Sequence, residues 1–258
     1  MKEITLIISV VTLLSCNSKN RESSKTIDVD SSVVQNITQY TITETRFSDF
    51  FERFMWDQEF QKSRVLFPFK QNNETISSHQ DWKHLPFYSD YIPILSSDTI
   101  EYFLDDSTRN KFEFSMIDFQ KRVSEKFNFK KINNQWFILS SESSSIEIQP
   151  DFEFLEFLIN WSNDSTFQIN HTRFPFPESY ADSENDYENA TRLIERADWK
   201  HLKLIPHVNK LMIFPNMTVD ATIRSIFFRG IENGIWIEYS FEKIDGIWKL
   251  TGLEDYST

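Results

Sequence analysis

The chain has little of what cofactor chemistry and covalent cross-linking draw on. Cys16 is its only cysteine, so no disulfide can close within the chain and no cysteine-based zinc cluster can be assembled. The four glycines, Gly230, Gly234, Gly246 and Gly252, all lie near the C-terminus. A phosphate loop or dinucleotide fingerprint needs glycines between a strand and a helix, and nothing upstream of Gly230 supplies them. Positive charge is also short, with 27 Lys and Arg against 39 Asp and Glu and a net charge of −12. Nucleic-acid affinity rests on basic residues neutralising phosphates, so no nucleic-acid partner is expected. Neither His79 and His84 nor His201 and His207 have the i, i+4 spacing that aligns two ligands on a helix. No metal and no cofactor are expected, and no residue is assigned as catalytic.

What is present begins with the front of the chain. Met1-Lys2 precedes an apolar run from Ile4 to Leu14 and then Leu13-Leu14-Ser15-Cys16. A basic residue, about ten apolar residues and a small residue before the cut describe an export signal, too short to span a bilayer. The segment resembles a bacterial lipobox, which implies lipid attachment at Cys16 as the mature N-terminus. Residues 16–40 are mostly polar with few large apolar groups and cannot bury enough surface to offset their ordering entropy, so they are expected to form a flexible tether. The expected organisation is a signal peptide at 1–15, the tether at 16–40, and two domains at 41–145 and 146–258. The expected localisation is the cell envelope, exported and lipid-anchored to a bacterial membrane on its periplasmic side or at the cell surface.

The rest of the chain is written twice. Phe60-Gln61 and Phe67-Pro68-Phe69 return as Phe167-Gln168 and Phe174-Pro175-Phe176. Asp81-Trp82-Lys83-His84-Leu85 returns unchanged as Asp198-Trp199-Lys200-His201-Leu202. Phe129, Lys131, Ile132 and Trp136 return as Phe241, Lys243, Ile244 and Trp248. Three matches in one order at a nearly constant offset indicate a tandem repeat. With 25 phenylalanines in the chain, each copy can fill a core with rings.

Each copy opens on a helical pattern. Phe47, Phe50, Phe51 and Phe54 fall at i, i+3, i+4 and i+7, and Phe154, Phe157, Leu158 and Trp161 align with them. Asp151 is placed as an N-cap, and a second short helix is expected at each Asp-Trp-Lys-His-Leu, capped by Asp81 and Asp198. The back of each copy alternates as antiparallel strands, with tight hairpins at Asn133-Asn134 and Asp245-Gly246. Residues 177–197, an acidic insertion in the second copy, read as a solvated loop running into a helix. The fold class is α+β, as two tandem cone-like domains, each with N-terminal helices packed on a curved antiparallel sheet.

Helices followed by a curved sheet that ends in Phe-x-Lys-Ile-x-x-x-Trp resemble the nuclear-transport-factor-2-like (NTF2-like), or cystatin-like, fold. The lipobox, the Phe-rich helix, Phe-Gln before Phe-Pro-Phe, and Trp-Lys-His-Leu together resemble an uncharacterised Bacteroidota lipoprotein family, domain of unknown function 4348. That resemblance implies a fold and an envelope setting, and lends no catalytic residues.

The pocket or interface candidates are Arg64, Asp81, Trp82, His84, His171, Asp198, Trp199 and His201. His84 and His201 are the sharpest candidates, because histidine is the side chain suited to acid–base work near neutral pH and each follows an acid and a Trp, although capping explains the same spacing. Asp57 and Asp164 align before each Phe-Gln, as turn formers or as acids or bases in a cup. Arg64 aligns with His171, where the copies differ in chemistry. The expected function is a membrane-anchored envelope lipoprotein acting as a binding module. Its expected partners are the bilayer, through the acylated N-terminus, and either a small apolar or amphipathic ligand in an aromatic cup or another envelope protein. The alternative is a cone-fold isomerase or hydrolase using Asp/His acid–base chemistry.

Overall fold

The computed structural model describes residues 44, 46–87, 91–96, 107–207, 210–214, 222–230 and 233–258. The expected signal segment 1–15, the expected lipid site Cys16 and the expected tether at 16–40 lie outside the described residues. In half one, α1 (Phe47–Trp56) buries Phe47, Phe50, Phe51 and Phe54 on one face, as their spacing dictates. Asp57 then ends α1 and starts α2 (Gln58–Ser63), accepting a hydrogen bond from the Phe60 N–H. Half two repeats the pair as α3 (Phe152–Asn163) and α4 (Ser165–Asn170), with Asp164 in the same capping role.

The strands of half one are β1 (Val65–Gln71), β2 (Glu74–Ile76), β3 (Ile92–Ser96), β4 (Lys111–Asp118), β5 (Val123–Ile132) and β6 (Gln135–Ser145). Those of half two are β7 (Phe176–Asp182), β8 (Glu188–Ile194), β9 (Lys210–Ile213), β10 (Ile223–Arg229), β11 (Trp236–Ile244) and β12 (Ile247–Asp255). The β5–β6 and β11–β12 hairpins turn through Asn133-Asn134 and Asp245-Gly246, all four at positive φ, the geometry that matches the strand twist.

All twelve strands join one sheet in the order β2-β1-β6-β5-β4-β9-β3-β10-β11-β12-β7-β8. Exchanging each strand for its repeat partner reproduces this order in reverse. The centre explains why: β9 of half two pairs with β4 of half one, and β3 of half one pairs with β10 of half two. β3 and β9 lie side by side and parallel, Ile94 opposite Met212. Each half has therefore given its third strand to the other. Alternate residues of a strand point to opposite faces, so Ile92, Ile94 and Met212 join the core under α1 while Leu95 and Leu211 join the core under α3. The two helical layers cover opposite faces of the sheet.

The α+β class stands, with a large curved sheet and few helices. The expected pair of tandem cone-like domains gives way to two halves of one sheet, because the exchanged strands make each half complete only with the other. Three local expectations are also corrected. Asp151 makes no side-chain capping bond, because Arg224 holds its carboxylate. No helix forms at Asp81–Leu85, and at Asp198 there is only a 3-10 turn, Arg196–Asp198. Residues 177–197 are not a loop running into a helix but mostly the antiparallel hairpin β7–β8 at the sheet edge. Charged side chains on an edge strand discourage pairing with other chains, and the same charges hid the strand period.

Candidate functional site

The repeated motifs converge on one buried glutamine in each half. Gln61 is 0% exposed, and its amide donates to the carbonyls of Phe54 (3.0 Å) and Leu85 (3.1 Å). Its Oε1 accepts from the Leu85 N–H (2.7 Å) and the Trp82 indole Nε1 (3.3 Å). Gln168, also 0% exposed, repeats this with Trp161, Leu202 and Trp199: it donates at 3.0 and 2.8 Å and accepts at 2.8 and 3.0 Å. The side-chain amide thus pairs with the leucine backbone as a neighbouring strand would, and all four of its hydrogen-bonding positions are used. This keeps Trp-Lys-His-Leu extended, and so displaces the helix expected there. The Trp82 ring is met edge-on by Phe69 at 5.0 Å and Phe67 at 6.3 Å, and the Trp199 ring by Phe176 at 5.1 Å and Phe174 at 5.5 Å.

The third repeat has an equally local purpose. Lys131 and Lys243 lie over the rings of Trp136 and Trp248, at 5.0 and 5.8 Å, across the two hairpins. Phe-Gln, Phe-Pro-Phe, Trp-Lys-His-Leu and the terminal Lys-Trp pair are holding elements of the fold.

The aligned pair Arg64 and His171 also has a structural explanation. Arg64 closes α2, lies over the Phe60 ring at 4.8 Å and pairs with the buried Glu44 carboxylate at 2.7 Å. His171 closes α4 and stacks on Phe167 at 3.7 Å, with Nδ1 against the Phe167 carbonyl. Glu44 aligns with Asp151, so both halves keep a buried acid before the first helix. In half two the cation is Arg224 on β10, which is 0% exposed and forked onto Asp151 at 2.7 and 2.8 Å. Phe112 stands at the matching place on β4, stacked 3.9 Å from Phe47. Both halves hold a buried ion pair here, with the cation on a different element in each.

The acids Asp57 and Asp164 accept backbone N–H bonds at helix starts. The Phe60 N–H and the Arg53 guanidinium hold the Asp57 carboxyl below its usual range, the wrong direction for a general base near neutrality. Asp81 accepts from the Ser78 hydroxyl at 2.8 Å, and Asp198 is exposed. The Nε2 of His84 is buried, with no hydrogen-bond partner among the described residues. His201 sets Nε2 against the Ser162 carbonyl at 3.1 Å and borders a cavity.

That cavity is the feature that separates the halves. It encloses about 570 Å³ in half two, lined by Tyr91, His201, Leu202, Leu204, Phe228 and Tyr239 among others. Tyr91, just before the exchanged strand β3, is a wall contributed by half one. Its ring meets Phe228 at 5.3 Å, and Phe228 meets Tyr239 at 5.7 Å. Half one fills the equivalent place with Phe87, whose ring packs on Phe127 (4.9 Å), Phe114 (5.6 Å) and Phe51 (5.7 Å). Half two carries Leu204 in place of Phe87, Ile226 in place of Phe114 and Tyr239 in place of Phe127. Two smaller side chains leave the room, and one tyrosine adds a hydroxyl.

Of the candidate residues, only His201 reaches this cavity. Trp82 and Trp199 serve the glutamine locks, and Arg64 and His171 cap helices. Tyr91, Leu204, Phe228 and Tyr239 were not anticipated. The available signal was the set of phenylalanines in copy one that copy two replaces. A further groove of about 420 Å³ lies on the other face of half one, between strand residues such as Glu113 and Lys126 and the linker Ile148–Asp151.

The family model of the Domain of unknown function (DUF4348) matches residues 27–255. The chain belongs to the DUF4348 family. This DUF4348 chain is also similar to a solved NTF2-like protein from Bacteroides fragilis NCTC 9343, at 22% identity and a TM-score of 0.66. The match covers 84% of this chain and 98% of that one, and it shows an NTF2-like fold. No curated protein matches the DUF4348 chain.

Proposed function

We propose that this DUF4348 protein is an exported, lipid-anchored envelope protein whose second half binds a small apolar or amphipathic molecule, with the first half as its closed partner. The observation that carries the binding reading is the asymmetry of the cups: Phe87 plugs one, and Leu204 leaves about 570 Å³ in the other. Concave, mostly apolar sites with a few polar groups are the usual form of a small-molecule site. An Asp/His enzyme has less support, since no carboxylate is among the described residues that line the cavity.

The test is titration with the neutral, environment-sensitive dye N-phenyl-1-naphthylamine. Saturable fluorescence enhancement that Leu204→Phe removes, while the unfolding midpoint is kept, is the expected result. Enhancement that survives Leu204→Phe places the dye elsewhere and defeats the reading.

The anchor is supported by Leu13-Leu14-Ser15-Cys16 at the end of an apolar run. Buried acyl chains contribute about 0.8 kcal/mol per methylene, so several chains hold a protein at a membrane. Cys16→Ala is expected to abolish acyl labelling and to release the protein from the membrane fraction. Membrane retention without label in the parent protein would remove the anchor from the account.

A further inference from the structure

With the half-two cup taken as the binding site, its polar content decides what class of molecule it accepts. Leu202, Leu204, Ile235 and Ile237 and the Tyr91 and Phe228 rings make most of the lining apolar. Within this surface Tyr239 is partly buried, and its hydroxyl makes no side-chain hydrogen bond among the described residues. The hydroxyl is not among the buried unpaired atoms, so water reaches it in the free protein, and a ligand oxygen facing it would take that water's place.

The neighbouring strands set the sign of the partner. Tyr239 lies opposite Leu253, and Leu253 opposite Glu178, while Asp255 lies opposite Ile237. Paired residues share a face, so two carboxylates lie near the tyrosine on its face of the sheet, outside the cavity lining. Arg192 pairs with Glu178 at 2.5 Å, whereas the Asp255 carboxylate accepts from the Ser257 N–H. Burial first, then Asp255 and Glu178, push the Tyr239 phenol up to about 12, so it remains neutral and acts as a donor. The same negative field opposes a ligand carboxylate at that hydroxyl. Of the other nitrogen-bearing side chains on the lining, Lys203 is exposed and His201 turns Nε2 to a backbone carbonyl.

We propose that the half-two cup takes neutral, largely apolar ring compounds bearing one carbonyl or hydroxyl oxygen, which accepts a hydrogen bond from the Tyr239 hydroxyl. The experiment compares naphthalene, 2-acetylnaphthalene and 2-naphthoate on the full folded chain, on Tyr239→Phe and on Leu204→Phe, following each probe by NMR titration. One neutral hydrogen bond contributes about 0.5–1.5 kcal/mol, so the ketone is expected to bind about three- to tenfold tighter than naphthalene. Tyr239→Phe brings the ketone to parity with naphthalene and leaves naphthalene unchanged, and the naphthoate binds less tightly than the ketone. Equal binding of ketone and naphthalene, a preference that survives Tyr239→Phe, or naphthoate as the tightest ligand each overturns the donor assignment while leaving the cup intact. Binding of none of the three, or binding that Leu204→Phe does not reduce, overturns the cup itself and the assignment with it.

Discussion

In half one, the Phe87 ring sits in a box made by Phe51, Phe114 and Phe127; in half two, Leu204, Ile226 and Tyr239 hold the matching positions beside an open cavity. The surroundings of these two places barely differ. Each has a capped helix pair, a fully buried glutamine, an edge-on tryptophan and a lysine across the last hairpin. What the copies share holds the chain, and where they differ the interior has been freed. A single sheet makes this tolerable. Because β3 and β9 are exchanged, the tightly packed half one contributes a strand to the hollowed half two, and Tyr91 to its wall.

The largest expected effect tests the buried ion pair. Removing one partner of a buried pair leaves an uncompensated charge, at about 3–5 kcal/mol, and Arg224→Leu is expected to destabilise the protein by that amount in urea unfolding. Arg64→Leu is expected to cost less, since Arg64 is 11% exposed and Glu44 keeps the Trp136 N–H as a second partner. A larger loss from Arg64→Leu would overturn the ordering of the two halves. Next comes the shared lock. Gln61→Ala and Gln168→Ala each leave buried groups of a tryptophan and a leucine unsatisfied, and each is expected to cost about 2–4 kcal/mol. Both variants should unfold in one transition. Separate transitions for the halves would contradict a fold completed by strand exchange.

The lock also shows how far the sequence could be read. Periodicity revealed the helices at Phe47 and Phe154 because a four-residue face is a local property. The hairpin turns were legible for the same reason, since Asn133-Asn134 and Asp245-Gly246 tolerate positive φ. Trp-Lys-His-Leu has the local pattern of a helix start but is extended, because its deciding contact is Gln61 or Gln168, more than twenty residues away. The strand exchange left no local trace, since β3 and β9 are short and apolar whichever sheet half they join. The half-two cup was hidden for a further reason: an aligned Phe and Leu both read as core, and only their difference in volume records the opening.

That difference can be reversed. Phe87→Leu removes ring contacts at a cost of about 1–2 kcal/mol and is expected to give half one a second, weaker dye site. No gain of dye stoichiometry would mean that the box collapses around the smaller side chain. A further effect separates the copies by pH. Tyr239 has its phenol raised to about 12 in the folded chain, against about 10 when unfolded. Its contribution is full below the unfolded value and is lost as pH rises through the folded one. Stability is expected to fall from pH 10 to 12, and Tyr239→Phe should flatten that part of the profile. An unchanged slope would show that Tyr239 is not desolvated in the cup.

The smallest effect concerns the helix starts that the halves have in common. The Phe60 N–H and then Arg53 hold the Asp57 carboxyl below its ordinary value. Its contribution is therefore present above the unfolded pKa and disappears as pH falls through the folded one. Asp57→Asn keeps an oxygen that can cap α2 and deletes the charge, so the loss at neutral pH is roughly a few tenths of a kcal/mol. Parent and variant are expected to converge in acid, where the parent carboxyl is protonated as well. A gap that persists at low pH would assign the loss to the capping geometry rather than to the charge.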